Sequence, residues 1–162
     1  VYAGDNGYFW GEHRLVDKRW PYEQAMRIPF IIRYPDGIVN PGRTSSEMAL
    51  NIDLAPTLVN MIGLEVPSQM EGLSLLPVLQ NNDQSLRSHF LYEYFKEFPY
   101  NTPACNAVRT HNHIYIEYEG RREAELFDVV QDPLNRNNMM GSEQAQALYP
   151  ELQALLQEYL NY

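Results

Sequence analysis

Asp5 and Asn6 put a carboxylate and an amide carbonyl on adjacent residues, hard oxygen donors of the kind Ca2+ or Mg2+ prefers. Two donors do not complete a shell of roughly six to eight oxygens, and Asp5-Asn6-Gly7 by itself also reads as an ordinary β-turn. A basic and acidic stretch follows at close spacing: Gly11-Glu12-His13-Arg14, Lys18, Tyr22-Glu23 and Arg27-Ile28-Pro29. Taken singly, Lys18 reads as a solvated loop lysine. Glu23 and Arg27 are spaced i, i+4 and read as an ion pair on one helix face. Further on, Cys105-Asn106-Ala107-Val108-Arg109 has a cysteine, a small residue two positions later and an arginine four positions later. His111 and His113 flank turn-like residues, where exposed polar side chains are normal.

These residues need elements to position them. Residues 1–3 read as a short buried strand that delivers Asp5 and Asn6 in the turn at its C-terminal end, the edge where open α/β sheets bind ligands. Pro21 suits the first turn of a short helix over 22–27, and Pro29 stops it before an apolar strand over 30–34. After a loop rich in Pro, Gly and Ser, Asp53 is placed to cap a helix over 54–62 that ends at Gly63. From about residue 88 the pattern changes to aromatic, period-two segments over 90–94, 107–110, 114–118 and 126–130, which read as antiparallel hairpins. Leu148, Leu152, Leu155, Leu156 and Tyr159 then recur at helical spacing and predict one helix covering that small sheet. The expected organisation is an α/β part over 1–84 and an α+β part over 85–162, joined near Asn81-Asn82-Asp83-Gln84.

Composition removes several function classes. Lys and Arg number 12 against 21 Asp and Glu, a formal charge of -9, and no basic run is present to follow a phosphate backbone, so nucleic acid is not an expected partner. No apolar stretch approaches the roughly 20 residues that span a bilayer. A single cysteine cannot form an internal disulfide. The first residues carry no Met and no signal-peptide pattern, and they enter a strand midway, which leads us to expect a segment of a longer protein.

The order of motifs closely resembles the sulfatase family, in which Asp-Asn-Gly leaves a strand, a loop passes through Gly-Glu-His to a lysine, and Tyr-Glu and Arg-x-Pro lead to the next strand. The match continues through Asn51-Ile52-Asp53-Leu54-Ala55-Pro56-Thr57-Leu58, Glu71-Gly72-Leu73-Ser74-Leu75-Leu76-Pro77, Ala107-Val108-Arg109-Thr110, Glu125-Leu126-Phe127-Asp128 and Asp132-Pro133. The resemblance implies the C-terminal portion of an alkaline-phosphatase-like α/β sulfatase fold. To it is added a small α+β subdomain of antiparallel strands packed by a C-terminal helix.

Carried over by position, the resemblance makes Asp5 and Asn6 ligands of Ca2+, with Mg2+ the less favoured ion, and makes Lys18 the catalytic contact to the substrate sulfate. An ammonium beside a divalent ion neutralises sulfate and opposes the charge that develops as the S–O bond breaks. His13 and Arg14 lie between these groups, where they reach a sugar hydroxyl or the sulfate; His13 serves equally well as a tie within its loop. The family's formylglycine nucleophile and remaining metal ligands are expected in a preceding segment. Cys105 imitates the formylglycine signature but falls in a framework strand, without the helix N-terminus that supports such a nucleophile.

The implied partner is a sulfated carbohydrate or another sulfate ester, Tyr92-Glu93-Tyr94 and Thr102-Pro103 looking like the branch acting on glucosamine 6-sulfate and glycosaminoglycan fragments. The implied location is periplasmic, extracellular or lysosomal. Two rivals remain: a phosphoryl- or phosphonate-ester hydrolase of the same superfamily, and a non-catalytic interaction module that keeps the fold.

Overall fold

The computed structural model describes residues 1–81, 84–120 and 123–161, so Asn82 and Asp83 of the expected junction lie outside the described residues. The chain divides into two compact units, one made of Val1–Asp5 and Pro29–Ser88, the other of Asn6–Ile28 and His89–Tyr162.

The first unit opens with β1 (Tyr2–Ala3), paired antiparallel with β4 (Phe30–Ile31). The strand expected over 1–3 is present but exposed rather than buried. A two-residue ladder to β4 is its pairing among the described residues, and it covers neither face. A single 3-10 turn at Asn51–Asp53 runs into α2 (Leu54–Met61), and α3 (Leu76–Gln80) follows. Gly63 closes α2 at φ 78°, the left-handed conformation glycine adopts without a Cβ penalty.

Asp53 does not cap α2. The 3-10 turn already starts the helical path before it, and its fully buried carboxylate is turned elsewhere. It accepts from the backbone N–H of Leu50 (2.7 Å) and Leu73 (2.8 Å) and from both terminal nitrogens of Arg87 (2.6 and 2.7 Å). Thr57 extends the network, donating to the Asp53 carbonyl (2.6 Å) and accepting from Leu75 N–H (2.8 Å). A carboxylate removed from water survives only with this degree of compensation.

The second unit is built on a four-stranded antiparallel sheet of β5 (His89–Tyr94), β6 (Cys105–Thr110), β7 (His113–Tyr118) and β8 (Glu125–Asp128), in sequence order. The expected hairpins are thus present, β6 and β7 turning at the His111-Asn112 step. The expected covering helix is α4 (Glu143–Leu160), capped by Ser142, whose hydroxyl accepts from Ala145 N–H at 3.1 Å.

Strand periodicity sorts the sheet into two faces. Val108, Tyr115 and Leu126 point to α4 and pack with Ala145, Leu152 and Leu156. Cys105, Ala107, Ile114, Ile116 and Phe127 form the opposite face, packed with Phe9, Tyr22 and Ala25. Those last three belong to a strap over 6–28 that holds β2 (Phe9–Trp10), β3 (Val16–Asp17) and α1 (Glu23–Met26). The sheet is therefore covered on both faces, once by a helix and once by the strap. Glu23 does not pair with Arg27 as the helix spacing suggested. It turns to the sheet, where Arg109 Nε donates to it at 2.8 Å.

Removing the Asp53 side chain leaves the half-buried Arg87 guanidinium without its carboxylate, a loss of about 3–5 kcal/mol for a broken buried pair. We therefore expect Asp53→Ala to speed hydrogen exchange across α2 by at least a hundredfold. A change below tenfold would show that the network does not hold the first unit together.

Candidate functional site

The strap is shaped by one close approach and one anchor. Gly7 N–H donates to the Ala25 carbonyl at 2.7 Å, and a Cβ at Gly7 would collide with the Gln24 carbonyl, so the glycine of Asp5-Asn6-Gly7 is required by α1 passing alongside. Phe9 is fully buried, while its neighbour Trp10 is 83% exposed, fixing which side of the β2–β3 hairpin meets the sheet. Between these strands the backbone makes a tight 3-10 turn over Glu12–Arg14. The Glu12 carboxylate accepts Trp10 N–H at 2.6 Å, and backbone hydrogen bonds of this kind hold its pKa below the usual carboxylate value. His13, Arg14 and Asp17 have φ of 54°, 60° and 87°, left-handed values that cost side-chain-bearing residues about 1 kcal/mol or more each.

His13 is half-buried, its ring stacked on Tyr22 at 4.5 Å and edge-on to Phe9 at 6.2 Å. Its Nε2 lies 2.8 Å from the Leu134 carbonyl, an acceptor, so this nitrogen carries the proton and donates. This bond joins the His13 turn to the segment at Leu134, while Arg14 is exposed at the turn. Lys18 is exposed, and its ammonium donates to the Asn6 amide oxygen at 2.8 Å. The structure thus brings together Asn6 and Lys18 from opposite ends of the hairpin. Asp5 belongs to the first unit, where its backbone carbonyl accepts from Asn51 Nδ2 at 3.4 Å.

Asp5 and Asn6 are oxygen donors and suit a hard cation; among the described residues no group of three His, Cys, Asp or Glu side chains is placed to hold a metal. Cys105 is buried in β6, opposite Tyr118 on β7 and Tyr94 on β5, a framework position away from any helix start. His113 donates its N–H to Thr110 Oγ1 at 3.0 Å inside the β6–β7 turn.

Two groups of functional interest were not singled out in the sequence. Glu125 accepts from Tyr22 (2.7 Å) and Tyr118 (2.8 Å), docking α1 on the sheet; burial first, then the neighbouring Tyr22 and Glu125, drive the Tyr118 phenol pKa far upward. Arg19 pairs with Asp17 and, at 3.3 Å, with Glu97. The adjacent opposite charges of Asp17-Lys18-Arg19 were the available signal for the second group; the first was signalled only by the Tyr22-Glu23 and Glu125-Leu126-Phe127-Asp128 motifs.

Residues 11–161 match the model of the family described as N-sulphoglucosamine sulphohydrolase, C-terminal, and the chain belongs to this family. An N-acetylglucosamine-6-O-sulfatase of Bacteroides thetaiotaomicron is 38% identical over 165 residues, covering 98% of this chain and 29% of that protein. A solved structure of a protein in complex with its substrate D-glucosamine-2-N,6-O-disulfate superposes with a TM-score of 0.89 at 37% identity, over 99% of this chain and 33% of that one. The phosphonate monoester hydrolase of Agrobacterium radiobacter shares the fold, with a TM-score of 0.79 at 22% identity over 97% of this chain and 34% of that one. The chain spans about a third of the length of these relatives. The alkaline-phosphatase-like sulfatase fold expected from the motif order is the fold observed, and the chain corresponds to its C-terminal part.

If His13 ties the loop, His13→Ala should raise amide exchange at Arg14 and Leu15 about fivefold, the equivalent of roughly 1 kcal/mol for one hydrogen bond. Unchanged exchange would return His13 to the alternative role of contacting substrate.

Proposed function

We propose that this chain is the C-terminal part of a sulfatase that hydrolyses a sulfate ester on a sugar. Lys18 contacts the sulfate, Asp5 and Asn6 contribute to a Ca2+ site, and Arg14 stands at the rim to meet substrate. The observation that carries this reading is the Lys18 ammonium 2.8 Å from the Asn6 amide oxygen, a cation fixed against a cation ligand. Two relatives, an N-acetylglucosamine-6-O-sulfatase and a protein solved with a glucosamine disulfate, support a sulfated aminosugar as the substrate class. The reading places the formylglycine nucleophile in residues preceding these 162, and the enzyme in a periplasmic, extracellular or lysosomal compartment.

When bound, Ca2+ would supply a fixed positive charge for the sulfate oxygens. Lys18 adds a compact charge with three donors, and it faces a group that gains negative charge on the leaving oxygen as the S–O bond breaks. Its attraction is greater in the transition state than in the ground state, which is the condition for raising rate rather than only affinity. Asn6 keeps the ammonium in place until substrate arrives, and the Asp17 carboxylate fixes the backbone under it by accepting Lys18 N–H at 2.9 Å.

In the enzyme carrying this chain, Lys18→Ala should lower kcat/KM by at least about a hundredfold, with Lys18→Arg restoring part of it because a planar guanidinium places its donors differently. Asp5→Ala should lower Ca2+ content and turnover together, far more than His111→Ala. The 162-residue chain alone should not hydrolyse an aryl sulfate; turnover abolished by Cys105→Ala would overturn the assignment. A phosphonate ester turned over faster than a sulfate ester would establish the rival reading, a phosphonate-ester hydrolase, whose fold the chain shares.

A further inference from the structure

Lys18 sits between two residues that are themselves held. On one side Asp17, at a left-handed φ of 87°, accepts the Lys18 backbone N–H through Oδ1 and pairs with Arg19 through Oδ2. On the other side Arg19 continues to the loop after β5, donating from Nε to Glu97 at 3.3 Å and laying its guanidinium carbon 3.4 Å over the centre of the Tyr100 ring. The Arg19 side chain is 16% exposed, although its neighbour Lys18 is open to solvent. Tyr94, at the end of β5, lies in the same field: burial raises its phenol pKa first, Glu97 raises it further, and Arg19 draws it back. Three side chains thus converge on one guanidinium, Asp17 from beside it and Glu97 and Tyr100 from the loop after β5.

An Asp in the left-handed region persists only where its surroundings over-determine it. Here the over-determination is visible, because Asp17 cannot relax its backbone without releasing both Lys18 N–H and Arg19. We infer that Arg19 is a positioning residue for the reaction, acting through Lys18: its fork locks Asp17, the Glu97 and Tyr100 loop locks the fork, and the ammonium is thereby kept beside Asn6. The inference rests on the sulfate-contacting role proposed for Lys18. It also makes the loop at 95–100, where Phe98 is 99% exposed, part of the device that sets the rate. A lysine at position 19 cannot replace the arginine, since a single ammonium does not bridge two carboxylates while lying flat on a ring.

The test is a kinetic double-mutant cycle in the enzyme carrying this chain, with a melting curve for each variant. Arg19→Ala should lower kcat about tenfold with KM changed less than twofold, Glu97→Gln about threefold, and Arg19→Lys should recover less than half of the Arg19→Ala loss. In a Lys18→Ala background neither substitution should lower the rate further, because the group they position is gone. Additive losses in that background would overturn the inference, as would full activity of Arg19→Ala or full rescue by Arg19→Lys. Should Arg19→Ala fail to fold, Glu97→Gln, altered at a half-exposed carboxylate, carries the same cycle. A fully active Lys18→Ala enzyme would instead remove the sulfate role of Lys18. Slow Lys18→Ala with fully active Arg19→Ala and Glu97→Gln would remove only the positioning role.

Discussion

The site depends on one docking constraint: the strap over 6–28 must lie on the sheet face that α4 leaves uncovered. Phe9, Tyr22 and Ala25 supply its apolar contacts, and three polar contacts fix its register. Glu125 accepts from the Tyr22 hydroxyl, Arg109 donates to the Glu23 carboxylate, and buried Asn135 accepts the Glu23 backbone N–H at 2.8 Å. All three pin α1, and α1 in turn pins the chain at Gly7 through the Ala25 carbonyl. The apolar contacts supply the driving force and the polar ones the specificity, since an unpaired group at any of them would cost roughly 1–3 kcal/mol. Asn6 and Lys18 meet because both ends of the hairpin are fixed to one helix and one sheet.

Charge is distributed to the same end. The chain carries a formal charge of -9, so its few cations are set among an excess of carboxylates. Arg19, Arg87 and Arg109 are committed to carboxylates. Lys18 and Arg14 stand exposed on the strap, and the left-handed backbone at 13, 14 and 17 is what presents them. Strain stored in the turn is offset by the packing of Phe9 and by the His13 tie to Leu134.

What could be read from the sequence was whatever has a short period. Alternation in the strands and helical spacing at Leu152 and Leu156 gave the sheet and its covering helix, because each signal lies within one element. The order of motifs singled out Asn6 and Lys18, which the structure places 2.8 Å apart. The long-range partners were hidden. Asp53 looked like a helix cap because Leu54 follows it, yet its main partner Arg87 is 34 residues away. Glu23 looked like a partner for Arg27 at i+4, yet it pairs across 86 residues with Arg109. Arg19 meets Glu97 over a separation of 78 residues, which no local pattern reports. That the sheet has a second covered face, packed by the strap, was hidden for the same reason.

The most direct test of the account is a crystal structure of the enzyme carrying this chain with a sulfated glucosamine and Ca2+ bound. The account predicts Lys18 Nζ at about 2.8–3.0 Å from a sulfate oxygen. It also predicts Asp5 and Asn6 oxygens at about 2.3–2.6 Å from a common cation. A sulfate bound away from Lys18, or a cation that ignores both Asp5 and Asn6, would contradict it.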